Sequence, residues 1–223
     1  MNDHDLPPEV IEKYSTPRGE IQLQRRGQYF EIISNGTFLM ATYNGESEKL
    51  LISEPLKRSD HPSHILIGGL GVGFSLQEAL KDPRVEQVTV LEIEETIIQW
   101  NRTLLSAVSE ESSFHPKSNI IHADCLVWLA EHDDKFDLIC LDIDNGPDWN
   151  VYATNESLYS DYGLSLLARH LQPDGYLSFW SATSSPEFVD RLKCHFQLVD
   201  ILYVPQDRGE PDVIFLTKGP ITQ

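Results

Sequence analysis

The sequence predicts an α/β protein in which a small antiparallel β-lobe precedes a largely parallel sheet covered by helices on both faces. Three observations carry this. Short apolar or alternating runs before residue 60 are separated by Arg26-Gly27, Asn35-Gly36 and Asn44-Gly45, and Asn-Gly is a strong hairpin signal. From Ile65 the rhythm changes to strand–helix alternation, which is the pattern of a parallel sheet. The first strand of that series opens into a glycine turn, Gly68-Gly69-Leu70-Gly71-Val72-Gly73, and the next ends in Glu92.

The elements follow in order. Residues 1–13, with Pro7-Pro8, read as a loose leader. Glu20–Leu23, Tyr29–Ile33 and Thr37–Thr42 read as strands of the lobe, and Glu54–Ser63, with Pro55 and Pro62, as a link. This divides the chain into a leader and β-lobe over 1–60 and a larger domain over 61–223. In the larger domain the expected strands are Ile65–Ile67, Gln87–Leu91, Asn119–His122, Phe136–Leu141 and Tyr176–Ser181. Helical patterns lie near Ser75–Lys81, Glu94–Leu105 and Asp161–Leu171. Ser185-Pro186-Glu187 is an N-cap followed by proline at the first helical position, opening a helix to about Cys194. Gln197–Val204 and Val213–Thr217 are expected to pair as a hairpin around Asp207-Arg208-Gly209.

Composition narrows the function classes. The net charge is −18, and residues 61–223 hold 25 acidic against 10 basic side chains. Such a surface repels the phosphates of nucleic acid and anionic membranes and attracts cations. No run reaches the roughly 18 apolar residues of a membrane helix. The acidic, polar start of the chain does not read as a secretory signal. Three cysteines without CxxC spacing lead to the expectation of a reducing, cytoplasmic setting. His61 and His64 show no metal-ligand spacing, and Ser184-Ser185 lacks the context of a nucleophile elbow. Trp100 and Trp128 fit helix faces turned to the core.

Gly69, Gly71 and Gly73 let the backbone turn tightly and leave room for a ligand. A carboxylate after the second strand, Glu92, is positioned to accept from both hydroxyls of a ribose. A dinucleotide fingerprint would need a third small residue at Phe74 or Leu76, and no Gly-Lys-Ser/Thr follows to make a P-loop. What remains is G-x-G-x-G, the pattern of enzymes that use S-adenosylmethionine-type donors. Two further acids, Asp124 and Asp142, close the third and fourth strands of the series. Ligands bind at the carboxyl ends of strands in open α/β sheets. An acid after a strand is also the usual helix cap.

In these residues the sequence resembles the spermidine synthase (polyamine aminopropyltransferase) superfamily. The resemblance rests on the N-terminal β-lobe, Ile67-Gly68-Gly69-Leu70-Gly71, Val90-Leu91-Glu92-Ile93-Glu94, Ala123-Asp124, Asp142-Ile143-Asp144-Asn145-Gly146-Pro147 and Leu158-Tyr159-Ser160. It implies a Rossmann-like class I methyltransferase fold: a mostly parallel seven-stranded sheet with a C-terminal antiparallel hairpin. It assigns Glu92 to the ribose, Asp124 to the adenine amino group and Asp142 to catalysis, with Asp144 as an approximate second acid for the substrate's cationic charge. The donor set is then Gly69, Gly71, Gly73, Glu92, Asp124 and Cys125, the donor being decarboxylated S-adenosylmethionine or S-adenosylmethionine. No metal is implied.

The chain departs from that family in places. The Asp142–Pro147 loop is short, Glu46-Ser47-Glu48-Lys49-Leu50 stands where the family has a Tyr-His-Glu stretch, and Pro205–Gly209 replaces an aromatic segment. Between Lys135 and Arg169 there is no Lys or Arg, while Asp137, Asp142, Asp144, Asp148, Glu156 and Asp161 are acidic. Acids of one sign in a cleft concentrate a cationic substrate; the same run also reads as a solvated loop. Trp149, Tyr152 and Tyr159 serve either cation–π contacts or packing. The expectation is aminopropyl transfer to a small cationic amine. Methyl transfer to a small molecule and a non-catalytic nucleoside-binding scaffold stand as alternatives. Neither a nucleic acid nor a membrane is expected as partner, and the resemblance suggests a homodimer.

Overall fold

The computed structural model describes residues 6–143, 145–148, 153–206 and 209–221. A four-stranded antiparallel sheet, β1 (Glu9–Thr16), β2 (Gly19–Arg26), β3 (Tyr29–Ser34) and β4 (Thr37–Ala41), forms the N-terminal lobe in chain order. β1 corrects the expectation of a loose leader. Its residues are mostly polar and lack a clean period of two, so the sequence carries little strand signal. They form a strand because they pair with β2 from Glu9–Arg25 to Thr16–Gly19. Cross-strand ion pairs Lys13–Glu20 (2.8 Å) and Arg25–Glu9 (2.9 Å) line its exposed side.

The second correction is α1 (Glu46–Arg58), which occupies the segment expected to be lobe and linker. Proline in a helix interior removes the hydrogen bond to the carbonyl four residues back. Here that carbonyl belongs to Leu51, and it accepts instead from the Ser178 hydroxyl (2.9 Å) and the Cys140 thiol (3.5 Å). The sheet thus supplies the donor that Pro55 lacks, and the helix runs through. Leu51, Ile52 and Leu56 bury its inner face.

The larger sheet holds β5 (His64–Gly68), β6 (Gln87–Glu92), β7 (Ser118–His122), β8 (Phe136–Leu141), β9 (Leu171–Ser181), β10 (Phe196–Val204) and β11 (Asp212–Pro220). Its order is β10-β11-β9-β8-β5-β6-β7. The pairs from β9 to β7 are parallel, and β11 runs antiparallel to both β9 and β10. The intervening helices are α2 (Phe74–Leu80), α3 (Glu95–Arg102), α4 (Cys125–Glu131), α5 (Asp161–His170) and α6 (Pro186–His195). Expected and observed bounds differ by a few residues; β9 begins at Leu171 rather than Tyr176, and α4, implied only by placing Trp128 on a helix face, had no expected bounds.

Successive strand residues point to opposite faces, and the two cores follow that rule. Ile65, Ile67, Val88, Val90 and Cys140 pack with α1, α2, α3 and the lobe residues Ile21, Leu23 and Ile32. Leu66, Leu91, Ile139, Leu141 and Phe179 pack with α4, α5 and α6. Capping follows the sequence: the Ser185 hydroxyl accepts from the Phe188 N–H (3.3 Å) ahead of Pro186, and Ser160 does the same for Gly163 at α5 (3.3 Å). Trp100 is buried in the core, whereas Trp128 is half-buried and stacks on His132 at 4.1 Å.

Candidate active site

The parallel register lines up the strand tips. Gly68 pairs with both Leu91 and Leu141, and Glu92 pairs with His122. The Gly69 N–H donates to Leu91 (2.9 Å), the Asp142 N–H to Gly68 (2.9 Å) and the Ala123 N–H to Glu92 (3.0 Å). One cavity opens over this rim. Gly69, Gly71, Glu92, Asp124, Cys125 and Asp142 all line it, with Met40 and Arg18 from the lobe and Glu48 from α1. Its empty space, open solvent included, is about 1130 Å³.

The three glycines divide in role. Gly69 has φ +88°, and a Cβ there would stand 2.1 Å from the Asp142 carbonyl oxygen. Gly71 has φ +52°, and its Cβ position is filled by the Met40 Sδ, 2.2 Å away. That sulfur also accepts from the Val72 N–H at 3.1 Å, so the lobe is clamped onto the glycine turn. Gly73 is not among the cavity residues. A Cβ on it would meet Asn101 Oδ1 and Ser109 Cβ at 2.8 Å, which makes it a packing glycine at the start of α2.

Glu92 is almost fully buried. Its Oε2 accepts from the Leu70 N–H and its Oε1 from the Glu94 N–H, each at 2.8 Å. The carboxylate therefore ties the glycine turn to the β6–α3 turn, and lone pairs remain for a ligand. Burial pushes its pKa up, against the amides of Glu94, Leu70 and Gly71, which favour the charged form. Asp124 caps α4, its Oδ1 accepting from the Val127 N–H (3.0 Å), and lines the cavity as well. Cys125 beside it has its thiol pushed up to about 12 by burial and by the Asp124 charge. It is a neutral thiol here and not a nucleophile.

Asp142 follows β8, and its pKa lies well above the ordinary range. Burial is the largest cause, followed by the charges of Glu48, Asp212 and Glu92. Sequence reasoning missed two of these acids. Glu48 is buried on α1 and Asp212 is buried at the start of β11. Ser47 sits between them, its hydroxyl 2.9 Å from Glu48 Oε2 and 2.7 Å from Asp212 Oδ2. Three segments far apart in sequence make this cluster, so no spacing could reveal it. The Glu48 carboxyl is pushed up to about 7, chiefly by burial, with the Asp212 charge adding to it.

Asp144, Trp149 and Tyr152 lie outside the described residues. Tyr159 resolves to packing: it is buried against Phe179 and Phe188 at 5.9 and 5.4 Å. No group of three or more metal-ligating side chains occurs among the described residues. No described helix is long and apolar enough to cross a membrane.

The spermine/spermidine synthase domain model matches residues 46–192. The chain belongs to this family. The spermine/spermidine synthase relatives include a polyamine aminopropyltransferase of Thermoanaerobacter sp. (strain X514), 28% identical over 135 residues, covering 60% of this chain and 48% of the relative. Polyamine aminopropyltransferase 1 of Streptomyces coelicolor is 29% identical over 150 residues, covering 61% of this chain and 28% of the relative. The chain thus spans about half or less of the length of these curated relatives. Among solved structures, a spermidine synthase in complex with the transition-state analogue AdoDATO superposes with a TM-score of 0.81 at 18% identity, covering 94% of this chain and 73% of that one. The spermidine synthase of Thermotoga maritima gives 0.77 at 17% identity, covering 94% and 72%. The α/β sheet and the antiparallel lobe therefore match the spermidine synthase fold.

Proposed function

We propose that this chain transfers an aminopropyl group from decarboxylated S-adenosylmethionine to a small amine. The observation that carries this reading is the order of groups along the cavity rim. Across β7, β6, β5 and β8 the strand ends present Asp124, Glu92, Gly69 and Asp142 in that sequence. Adjacent strands are about 4.8 Å apart, so the rim spans about 14 Å. An adenosyl sulfonium laid along it meets Asp124 with adenine, Glu92 with ribose and the glycine turn with its sulfur, and its alkyl tail reaches Asp142. The strand order and the antiparallel β11 support the class I methyltransferase type of fold for this binding mode.

The acids select the donor. Asp142 and Glu48 line the cavity, with Asp212 close behind. A methionyl carboxylate would be repelled here, whereas the amine-only tail of the decarboxylated donor would be attracted. An ammonium arriving among these acids favours the ionised form of Asp142. Asp142 then accepts one proton from it. The free amine attacks the carbon next to sulfur, the C–S electron pair leaves on the neutral thioether, and the product carries the positive charge as a secondary ammonium. Much of the acceleration would come from holding nucleophile and sulfonium in line.

Methyl transfer from S-adenosylmethionine is the second reading, and Arg18 supports it. Its guanidinium lines the cavity and could receive a carboxylate, although it lies 3.6 Å from Glu94. The test is to offer each donor separately with a panel of amines and to assay methylthioadenosine and S-adenosylhomocysteine. Amine-dependent methylthioadenosine is the expected product. S-adenosylhomocysteine would move the assignment to methyl transfer. Binding without turnover would favour a nucleoside-binding scaffold, and neither binding nor turnover would overturn all three.

A further inference from the structure

The Ser47 hydroxyl carries one proton but lies within hydrogen-bond distance of two carboxyl groups, Glu48 Oε2 at 2.9 Å and Asp212 Oδ2 at 2.7 Å. One hydroxyl proton can satisfy only one of these contacts. Burial pushes the Asp212 carboxyl up, and against it Asp212 Oδ2 accepts from the Gln206 amide at 2.6 Å, a contact that favours the ionised form of that carboxyl. If Ser47 donates to Asp212, the contact with Glu48 needs a second proton, carried by Glu48 and donated to the Ser47 oxygen. The arrangement is independently tied to the cavity, because Glu48 lines it together with Asp142.

We propose that Glu48, Ser47 and Asp212 form a proton-carrying chain beside Asp142, holding one proton in the resting pocket and draining the proton that Asp142 takes from the acceptor amine. The second half of this statement rests on the transfer reaction proposed above; the first half is a property of the protein alone. The groups facing Glu48 agree with it. Asp142 from β8 and Asp212 from β11 are acids that disfavour a charge on Glu48. Lys49, whose ammonium lies over the Phe74 ring at 5.0 Å, is the cation that opposes them. From α2, Ser75 bonds only the Glu48 backbone oxygen, at 3.2 Å. Burial, with the Asp212 charge adding to it, brings Glu48 to about 7, so it exchanges its proton in the neutral range.

The transfer balances. Glu48 passes its proton to the Ser47 oxygen as Ser47 passes its own to Asp212, and Glu48 is refilled from Asp142 through the cavity that both line. Asp212 then releases a proton to solvent. No charge is created or lost within the chain, and no co-reactant is needed.

The test begins with the full-length protein, without substrate. Carboxyl carbons labelled with carbon-13 are followed by NMR across the neutral range. One glutamate is expected to titrate near neutrality, to vanish in Glu48→Gln, and to move towards the ordinary range in Asp212→Asn. A Glu48 that is fully ionised at neutral pH, or a neutral-range step that survives Glu48→Gln, overturns the proposal whether or not the protein transfers anything. In turnover, Ser47→Ala is expected to lower kcat about tenfold or more, to displace the pH profile and to leave the KM for the donor unchanged. Ser47→Ala turning over like the unaltered protein would overturn the relay. Failure of both donors to react would overturn the transferase reading, while the titration would still decide the proton chain.

Discussion

Gly69 and Asp142 meet backbone to backbone: a Cβ on Gly69 would stand 2.1 Å from the Asp142 carbonyl oxygen. The glycine turn and Asp142 are therefore one packed unit. Gly69→Ala must move one of them, and at φ +88° it also strains its own backbone. We expect a loss of about 1–3 kcal/mol in stability, with methylthioadenosine binding weakened more than tenfold. Thermal unfolding and calorimetric titration measure the two. Unchanged binding would mean that the turn does not contact the nucleoside.

Glu92 holds two backbone amides with its two oxygens. In Glu92→Gln the side-chain NH2 must face one of those N–H groups, donor against donor. Nucleoside affinity is expected to fall about tenfold, or about 1.4 kcal/mol, with kcat at saturating donor less affected. An unaltered dissociation constant for methylthioadenosine would remove Glu92 from the ribose.

The strand tips were legible in the sequence because a parallel sheet with both faces covered writes apolar runs, and the runs of β5, β6, β7 and β8 lead into a glycine turn or an acid. The α1 helix was not, because Pro55 normally ends a helix and its compensating donors, Ser178 and Cys140, lie more than 80 residues away. The acids Glu48 and Asp212 were hidden for the same reason. They are brought together when α1 packs on the sheet, a juxtaposition that no local pattern encodes. Gly73 was read as part of the donor turn from its spacing alone; its tight contacts with Asn101 and Ser109 are set by tertiary packing.

Asp142 is surrounded by like charges that push its pKa up. A bound ammonium should displace protons from this cluster. Titration of a diamine in two buffers of different ionisation enthalpy is expected to report proton release near neutral pH. Asp142→Asn is expected to abolish turnover and diminish that release while methylthioadenosine binding is kept. Strong residual turnover would remove Asp142 from the chemistry.

Glu48 makes stability fall as pH rises. Its carboxyl titrates at about 7 in the folded chain against an ordinary value of 4.5. Between these values the native state holds a proton that the unfolded chain has lost. Its contribution is thus fully present below the ordinary value and is lost as pH rises through about 7. Glu48→Gln supplies a permanently neutral donor to Ser47. It should raise the melting temperature at about pH 8 and change it little at about pH 5, a difference on the order of 3 kcal/mol. Equal shifts at both pH values would contradict a buried, proton-holding Glu48.

Ser178 lets α1 pass through Pro55. Ser178→Ala removes the 2.9 Å donor and leaves the Leu51 carbonyl with the Cys140 thiol, which is longer at 3.5 Å and weaker. A buried carbonyl that loses its main partner costs about 1–3 kcal/mol, and this should appear as a lower melting temperature. Because α1 carries Ser47 and Glu48 on its first turn, the loss should reach the site as well. Amide hydrogen exchange is expected to accelerate over residues 46–58, with the amine KM rising more than the donor KM. A variant with native exchange rates in α1 would mean that the helix tolerates Pro55 without this bond.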